Sequence, residues 1–345
     1  MQKTILEVAK MIETLNQKII EDSRISFKFT YLHELEKLEE LENLPWRYSL
    51  SAQKYYSAYF QNDKSIIENL VLTIFQGNHL IGITAISITK IDRMITSNGE
   101  AVLLPFLVDT ITFLAREYIM NLFIDLILQI KKAFNLQSPV FQTYSVNLLP
   151  SISERLLEIS KRVVEREVYL KDCRGDQSEL WTGIRKSYKS KINKGLREVT
   201  HGILTGQEAS VLFDSFKQLH LEVSGHKTRS DITWQIQKSE VLNKSAFLTF
   251  TKIGEELIGC SFVSHTRYSA IYGVGVYKRE LLDMNLGHIS QWISIQQLNR
   301  IGVREYRLGH LEMDCNMPYS SKELSIANFK KGFATEIKYE YLYFL

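Results

Sequence analysis

Two mixed α/β domains in tandem are the fold class this sequence predicts. The first observation behind it is a strand–turn–strand segment set among helical stretches in each half of the chain, at residues 69–89 and 247–266. The second is that the two segments share a form. Leu72-Thr73 matches Leu248-Thr249, Leu80-Ile81-Gly82 matches Leu257-Ile258-Gly259, and one extra residue is placed in the second turn. One unit recurring half a chain apart marks a duplicated domain, and strands among helices give mixed sheets with helical layers. The third is length, since 345 residues at roughly 100–200 per domain favour two domains. The expected parts are an N-terminal helix over 1–22, a first domain over 23–165 and a second over 166–345.

The elements follow in order. Ile5, Val8, Ile12, Leu15 and Ile19 recur at three and four residues, one apolar helical face ending near Asp22-Ser23. A strand is expected at 26–31 and a polar helix at 33–44. The hairpin at 69–89 turns at Gln76-Gly77-Asn78. Helix is expected over roughly 109–134 and 150–163, with a strand at 140–146 between them. The second hairpin turns near Ile253-Gly254-Glu255, and Ser269–Tyr277 reads as a β-branched and aromatic strand. Asn285-Leu286-Gly287-His288 opens a helix to about Arg300, Gly302 ends it, and Val303–Leu308 is a strand. Ile337, Tyr339, Tyr341, Tyr343 and Leu345 alternate with their neighbours, so the chain closes on a covered strand.

Composition narrows the function. With 45% hydrophobic and 23% charged residues, the chain is globular rather than disordered. A net charge of +3 is too balanced for whole-chain nucleic-acid binding, which leaves that reading to a local patch. Cys173, Cys260 and Cys315 form no CxxC pair, which argues against a zinc ribbon or a disulfide scaffold and fits reduced thiols in the cytoplasm. The apolar runs 101–108 and 120–130 fall short of the roughly 20 residues of a transmembrane helix, while peripheral membrane contact stays open.

The sharpest local feature is Leu180–Arg197. Ile184, Tyr188, Ile192 and Leu196 form one helical face, and the rest carries Arg185, Lys186, Lys189, Lys191, Lys194 and Arg197, six cations with no acid between them. Such a run is a solvated face or a surface that grips phosphates, which arginine does bidentately. In His220–Gln237, His226, Lys227 and Arg229 precede Trp234. This is either a loop entering a Trp-anchored helix or a substrate loop, with Arg229 on an anion and Trp234 stacked on a sugar or base. At Asn285 and Gly287 a helix start offers backbone N–H groups to a phosphate, or is a plain helix start. His310, Glu312 and Asp314 are surface groups or acid–base groups, and no matching cluster makes them a metal site. There is no Walker loop, no GxGxxG and no GxSxG.

In order, three of these features resemble the FemAB family of peptidyl and aminoacyl transferases, within the GNAT-like acyltransferases. RKSYKSKINKGL at 185–196 resembles that family's basic helix. Leu257-Ile258-Gly259, Tyr272, Gly287-His288 and Trp292 follow in sequence. Lys322–Phe333 is similar to its closing FKxxF segment. The likeness covers roughly 175–345, with 26–165 as a diverged first GNAT-like domain. It implies two tandem GNAT-like domains facing a shared cleft. It implies N-acyl or aminoacyl transfer, in cell-envelope biogenesis, to an amine on a cell-wall, surface-glycan or nucleotide-sugar precursor. The donor is acyl-CoA, an acyl carrier protein or aminoacyl-tRNA, with no resident cofactor. By the same likeness Lys330 stabilises the developing oxyanion, and Arg185, Lys186 and Lys189 face phosphates. His226, His288 and His310 stand as unranked candidates for the base. Tyr272 is a proton donor or a core residue. The coenzyme A loop is reduced to Asn285-Leu286-Gly287-His288, and the helical arm of some tRNA-using members is absent. The other class left open is an inert GNAT-like module that binds RNA or an acidic partner through 185–197.

Overall fold

The two strand–turn–strand segments close as β-hairpins on two-residue turns, where Gly77 and Gly254 supply positive φ angles of 61° and 58°. The computed structural model describes residues 8–13, 16, 25–30, 41–64, 66–89, 93–143, 149–314 and 319–345. The hairpins are β2 (Ile66–Gln76) with β3 (His79–Thr89), and β10 (Ala246–Ile253) with β11 (Glu256–His265). Both bulge at the same place. Ile74 pairs with Gly82 and Phe75 with Leu80, leaving Ile81 over; Thr251 pairs with Gly259 and Lys252 with Leu257, leaving Ile258 over. The extra residue expected in the second turn is therefore not there. The hairpins match residue for residue, and Leu72-Thr73 corresponds to Thr249-Phe250, one place beyond Leu248-Thr249.

The chain forms two compact units. The first holds Met1–Arg166 with Glu312–Asp314 and Tyr339–Leu345, and the second holds Glu167–Leu311 with Cys315–Lys338.

In the first unit, β1 (Ile25–Thr30) pairs with β2, and β3 takes two short partners, β4 (Ile95–Thr96) and β6 (Phe106–Leu107). Between those two lies β5 (Val102–Leu103), parallel to β7 (Val140–Gln142). Helix α1 (Leu50–Lys64) precedes the hairpin and α2 (Phe113–Ala133) follows β6. Thr112 caps α2 by accepting from the Ala115 N–H at 3.3 Å. Its apolar stripe, Ile119, Phe123, Ile127 and Ile130, is fully buried against Ile74, Val102 and Phe141, at roughly 1.5–3 kcal/mol per side chain. Residues 8–13 are helical, with Val8 and Ile12 in the same core. The rest of the expected first helix except residue 16, most of the helix at 33–44, the end of the strand at 140–146 and Cys315 lie outside the described residues.

The helix expected over 150–163 is α3 (Pro150–Ile159), and β8 (Arg162–Asp172) begins three residues later. β8 went unread because Glu165, Arg166, Glu167, Lys171 and Asp172 interrupt its apolar pattern. It is nonetheless buried on both faces over Val168–Lys171.

The second unit is built on strands in the order β8, β13 (Glu305–Met313), β12 (Ser269–Tyr277), β11, β10 and β9 (Thr200–Leu204); β14 (Glu336–Phe344) pairs beside β8, with Glu336–Lys338 in the second unit and the rest in the first. Its helices are α4 (Gln177–Thr182), α5 (Lys186–Glu198), α6 (Ser210–Ser224), α7 (Asp231–Leu242), α8 (Leu286–Arg300) and α9 (Ser321–Lys331). The sheet has two covered faces. Leu248, Phe262, Val274 and Val276 join Phe213, Phe216 and Trp234 of α6 and α7. Their neighbours Phe247 and Val263 join Tyr188, Ile192, Trp292 and Phe333 on the other face. Cys173 and Cys260 are free and buried, and burial pushes the Cys173 thiol up to about 12. Among the described residues no helix is long and apolar enough to cross a membrane.

Candidate functional site

β12 and β13 run parallel, but only Ser269–Ile271 and Glu305–Arg307 pair. Beyond those three pairs the strands part, and two of the candidate residues, Tyr272 and Lys330, lie there. Gly309 lies two residues past the last pair, with φ of 149°. A Cβ on it would stand 2.4 Å from Lys330 Nζ, so glycine lets that ammonium rest against the strand. Lys330 comes from the last turn of α9 and is half-buried. Burial, then the nearby Arg307 guanidinium, push its pKa down. Tyr272, the first residue of β12 past the paired segment, is half-buried. Burial first, then Tyr277, hold its phenol well above the usual tyrosine range. It is therefore a neutral O–H at physiological pH, a proton donor and not a base.

A pocket of about 730 Å³ opens between α5, α8 and α9, lined by Arg185, Tyr188, Lys191, His288, Asn328 and Phe329 among others. The α5 stripe builds one wall: Tyr188, Ile192 and Gly195 are buried, which turns Arg185 and Lys191 outward. Tyr188 donates to the Asn328 carbonyl at 3.2 Å and carries the Arg185 guanidinium 5.1 Å from its ring centre. His288 is boxed by aromatic rings, edge-on to Tyr188 at 4.5 Å and to Phe329 at 5.0 Å. Burial, then Lys191, lower its pKa to about 4. It is thus a neutral imidazole, and its buried Nε2 has no hydrogen-bond partner. Cations on the rim, aromatic walls and a free ring nitrogen suit a ligand bearing phosphate and a ring.

The structure brings Arg185 and His288 into this pocket and sets Lys330 and Tyr272 by the parting strands. Other candidates stand elsewhere. Lys189 donates to the Thr182 carbonyl at 3.3 Å, at the end of α4, while Lys186 is exposed. Asn285, at φ of 60°, begins α8 and donates to the Asp283 carbonyl at 3.0 Å, and Gly287 lies beneath Phe329 and Tyr277. His310 is exposed on β13. Asp314 pairs with Arg162 at 3.3 Å and Glu312 with Arg166.

The group at 226–234 belongs to the other face of the sheet, on α6 and α7. Trp234 is 4% exposed and packs on Phe213 and Phe216, so it anchors the helix instead of offering a free stacking face. Arg229 covers that ring at 5.4 Å and lies 3.1 Å from His220 Nε2. Lys227 pairs with Asp231 at 2.8 Å, and the exposed His226 bends back to the Ser224 carbonyl at 3.0 Å. A smaller cavity of about 420 Å³ includes His226 and Lys227 in its lining. Sequence reasoning gave no role to Lys191, Asn328 or Tyr277. Lys191 was legible as one of six cations; the other two had no signal of their own.

No family model matches the chain, and no curated protein matches it in sequence. Solved structures do match. The crystal structure of FemX aligns with a TM-score of 0.65 at 12% identity, over 93% of this chain and 97% of that one. The C-terminal DUF2156 domain of a putative lysylphosphatidylglycerol synthetase from Agrobacterium fabrum aligns at 0.53 and 13% identity, over 86% and 87%. L-PGS from Bacillus licheniformis aligns at 0.52 and 13% identity, over 89% of each chain. At such identities the likeness is one of fold. The chain has a fold like that of FemX.

Proposed function

We propose that this chain transfers an acyl or aminoacyl group from an activated ester or thioester to an amine, as an N-acyltransferase of cell-envelope biogenesis acting in the cytoplasm. The observation that carries the reading is Lys330 Nζ lying against Gly309 where β12 and β13 part. Attack of an amine on an ester carbonyl builds negative charge on the carbonyl oxygen, and a fixed cation in a half-buried site stabilises it. Tyr272, a neutral phenol, supplies a proton to the leaving group. His288, a neutral imidazole with a free Nε2, is the best placed of the three candidate bases. Arg185 and Lys191 bind phosphate on the donor, which is acyl-CoA, a carrier protein or aminoacyl-tRNA. The acceptor amine belongs to a cell-wall or surface-glycan precursor.

The first experiment is calorimetric titration with acetyl-CoA at low salt. One saturable site per chain selects a thioester donor; no binding selects aminoacyl-tRNA or a carrier protein. Transfer assays with each donor then test the reaction, and no transfer from any of them refutes the reading. The exposed cations of α5 favour one other possibility, an inert module gripping RNA. Under it, RNA affinity falls steeply with salt in the absence of turnover.

A further inference from the structure

Tyr272 and Tyr277 are five residues apart on β12. An odd spacing on a regular strand puts two side chains on opposite faces. Here they share a face. Val274 pairs with Phe262 and Tyr272 with Val263, so Gly273 is an extra, bulged residue. The bulge resets the alternation. Val274 and Val276 pack with α6 and α7, while Tyr272 and Tyr277 both pack on the α8 side. The two phenol oxygens then lie 3.2 Å apart. Space for the pair comes from Gly275, since a Cβ there would stand 1.7 Å from the Tyr272 oxygen.

The pair is not isolated. Tyr277 OH lies 2.7 Å from Ser261 Oγ, and Ser261 Oγ lies 2.7 Å from Ser290 Oγ. Ser290 in turn is hydrogen-bonded to Thr249. Ser261, Ser290 and Thr249 are all buried. A buried run of hydroxyls has few ways to satisfy every member, so it fixes the direction of each O–H.

We propose that Tyr277 is a positioning residue, which with Ser261 and Ser290 holds the Tyr272 hydroxyl in the gap left by Gly275, beside the parting strands. The role of that hydroxyl rests on the transfer reading above. There the new N–C bond forms as the donor's C–O or C–S bond breaks. The Tyr272 proton passes to the departing oxygen or sulfur, the attacking nitrogen gives its proton to His288, and exchange with solvent restores both groups. Tyr277 keeps the phenol aimed, and it touches neither donor nor acceptor.

The test is carbon NMR of the full chain labelled at tyrosine Cζ, with the Tyr272 signal identified by its loss in Tyr272→Phe. Tyr277→Phe removes one oxygen and keeps the ring. Ser290→Ala acts two hydroxyls away and serves if Tyr277→Phe fails to fold. Both variants are expected to shift the Tyr272 signal; an unmoved signal overturns the proposal whatever the activity. In the transfer assay Tyr277→Phe is expected to lower kcat about ten-fold, the worth of one hydrogen bond, at unchanged KM. The double variant Tyr272→Phe/Tyr277→Phe is expected to be no slower than Tyr272→Phe alone. Losses that multiply overturn the positioning role. Shifted signals with no transfer from any donor refute the transfer reading and leave the hydroxyl chain standing.

Discussion

The two hairpins are the same object, and their third strands are not. Gly82 on β3 faces Leu107, and Gly259 on β11 faces Tyr277. In the first unit the strand beyond the hairpin is cut into the two-residue pieces β4 and β6, with Pro105 just before β6. In the second unit it is one nine-residue strand with a bulge and two tyrosines. Each unit then has a short parallel pairing, of two residues in β5–β7 and three in β12–β13. The duplicated hairpin is scaffold, and what is laid against it differs between the units.

Replacing one charged side chain in each unit should give the largest contrast. Lys330→Ala is expected to lower transfer at least about 100-fold with the thermal unfolding curve retained. In the first unit Arg155 of α3 pairs with Asp125 and donates to the Asn121 carbonyl. Arg155→Ala is expected to cost about 1 kcal/mol of stability and leave turnover within about two-fold. Equal losses of activity in both would break the comparison. The two facing glycines come next. A Cβ at Gly82 meets the Phe106 carbonyl oxygen at 2.6 Å, which is backbone, whereas one at Gly259 meets only side chains, Thr251 at 2.5 Å and Tyr277 at 2.8 Å. Urea unfolding should show Gly82→Ala costing about 3 kcal/mol and Gly259→Ala about 1–2 kcal/mol.

Acid should separate the units further. His288 and His220, both in the second unit, have folded pKa values of about 4 against an ordinary 6.5. Between those values the unfolded chain takes up protons that the folded chain refuses. Stability therefore falls as pH drops from 6.5 toward 4. Among the described residues the histidine of the first unit is the exposed His79. Hydrogen exchange should show the second unit loosening first, and His288→Phe should flatten that acid limb. The smallest effect is expected at Arg229→Ala. It uncovers Trp234 at a cost of about 0.5–1 kcal/mol and leaves transfer unchanged.

Legibility in the sequence followed the range of the interactions. The hairpins were readable because alternation and a turn glycine are local, and α5 because its stripe of Tyr188 and Ile192 leaves the cations on one side. β8 was hidden by the charges among its apolar positions. The Tyr272–Tyr277 pair was hidden for a sharper reason: strand parity puts them apart, and only the bulge at Gly273 reverses it. Lys330 could be picked out by resemblance, but its seat against Gly309 depends on α9 packing over β13. His288 shows no box of rings until Tyr188 and Phe329 arrive from two other helices.

The first unit includes Tyr339–Leu345, and Leu342, Tyr343 and Phe344 supply the antiparallel partner of β7. During synthesis those residues emerge only after the whole second unit. The earlier-made half must therefore wait, with β7 unpaired on that side, until residues 342–344 have been made. Cutting the gene between the units would strand it in that state, so the two halves cannot be obtained as separate products by one contiguous truncation.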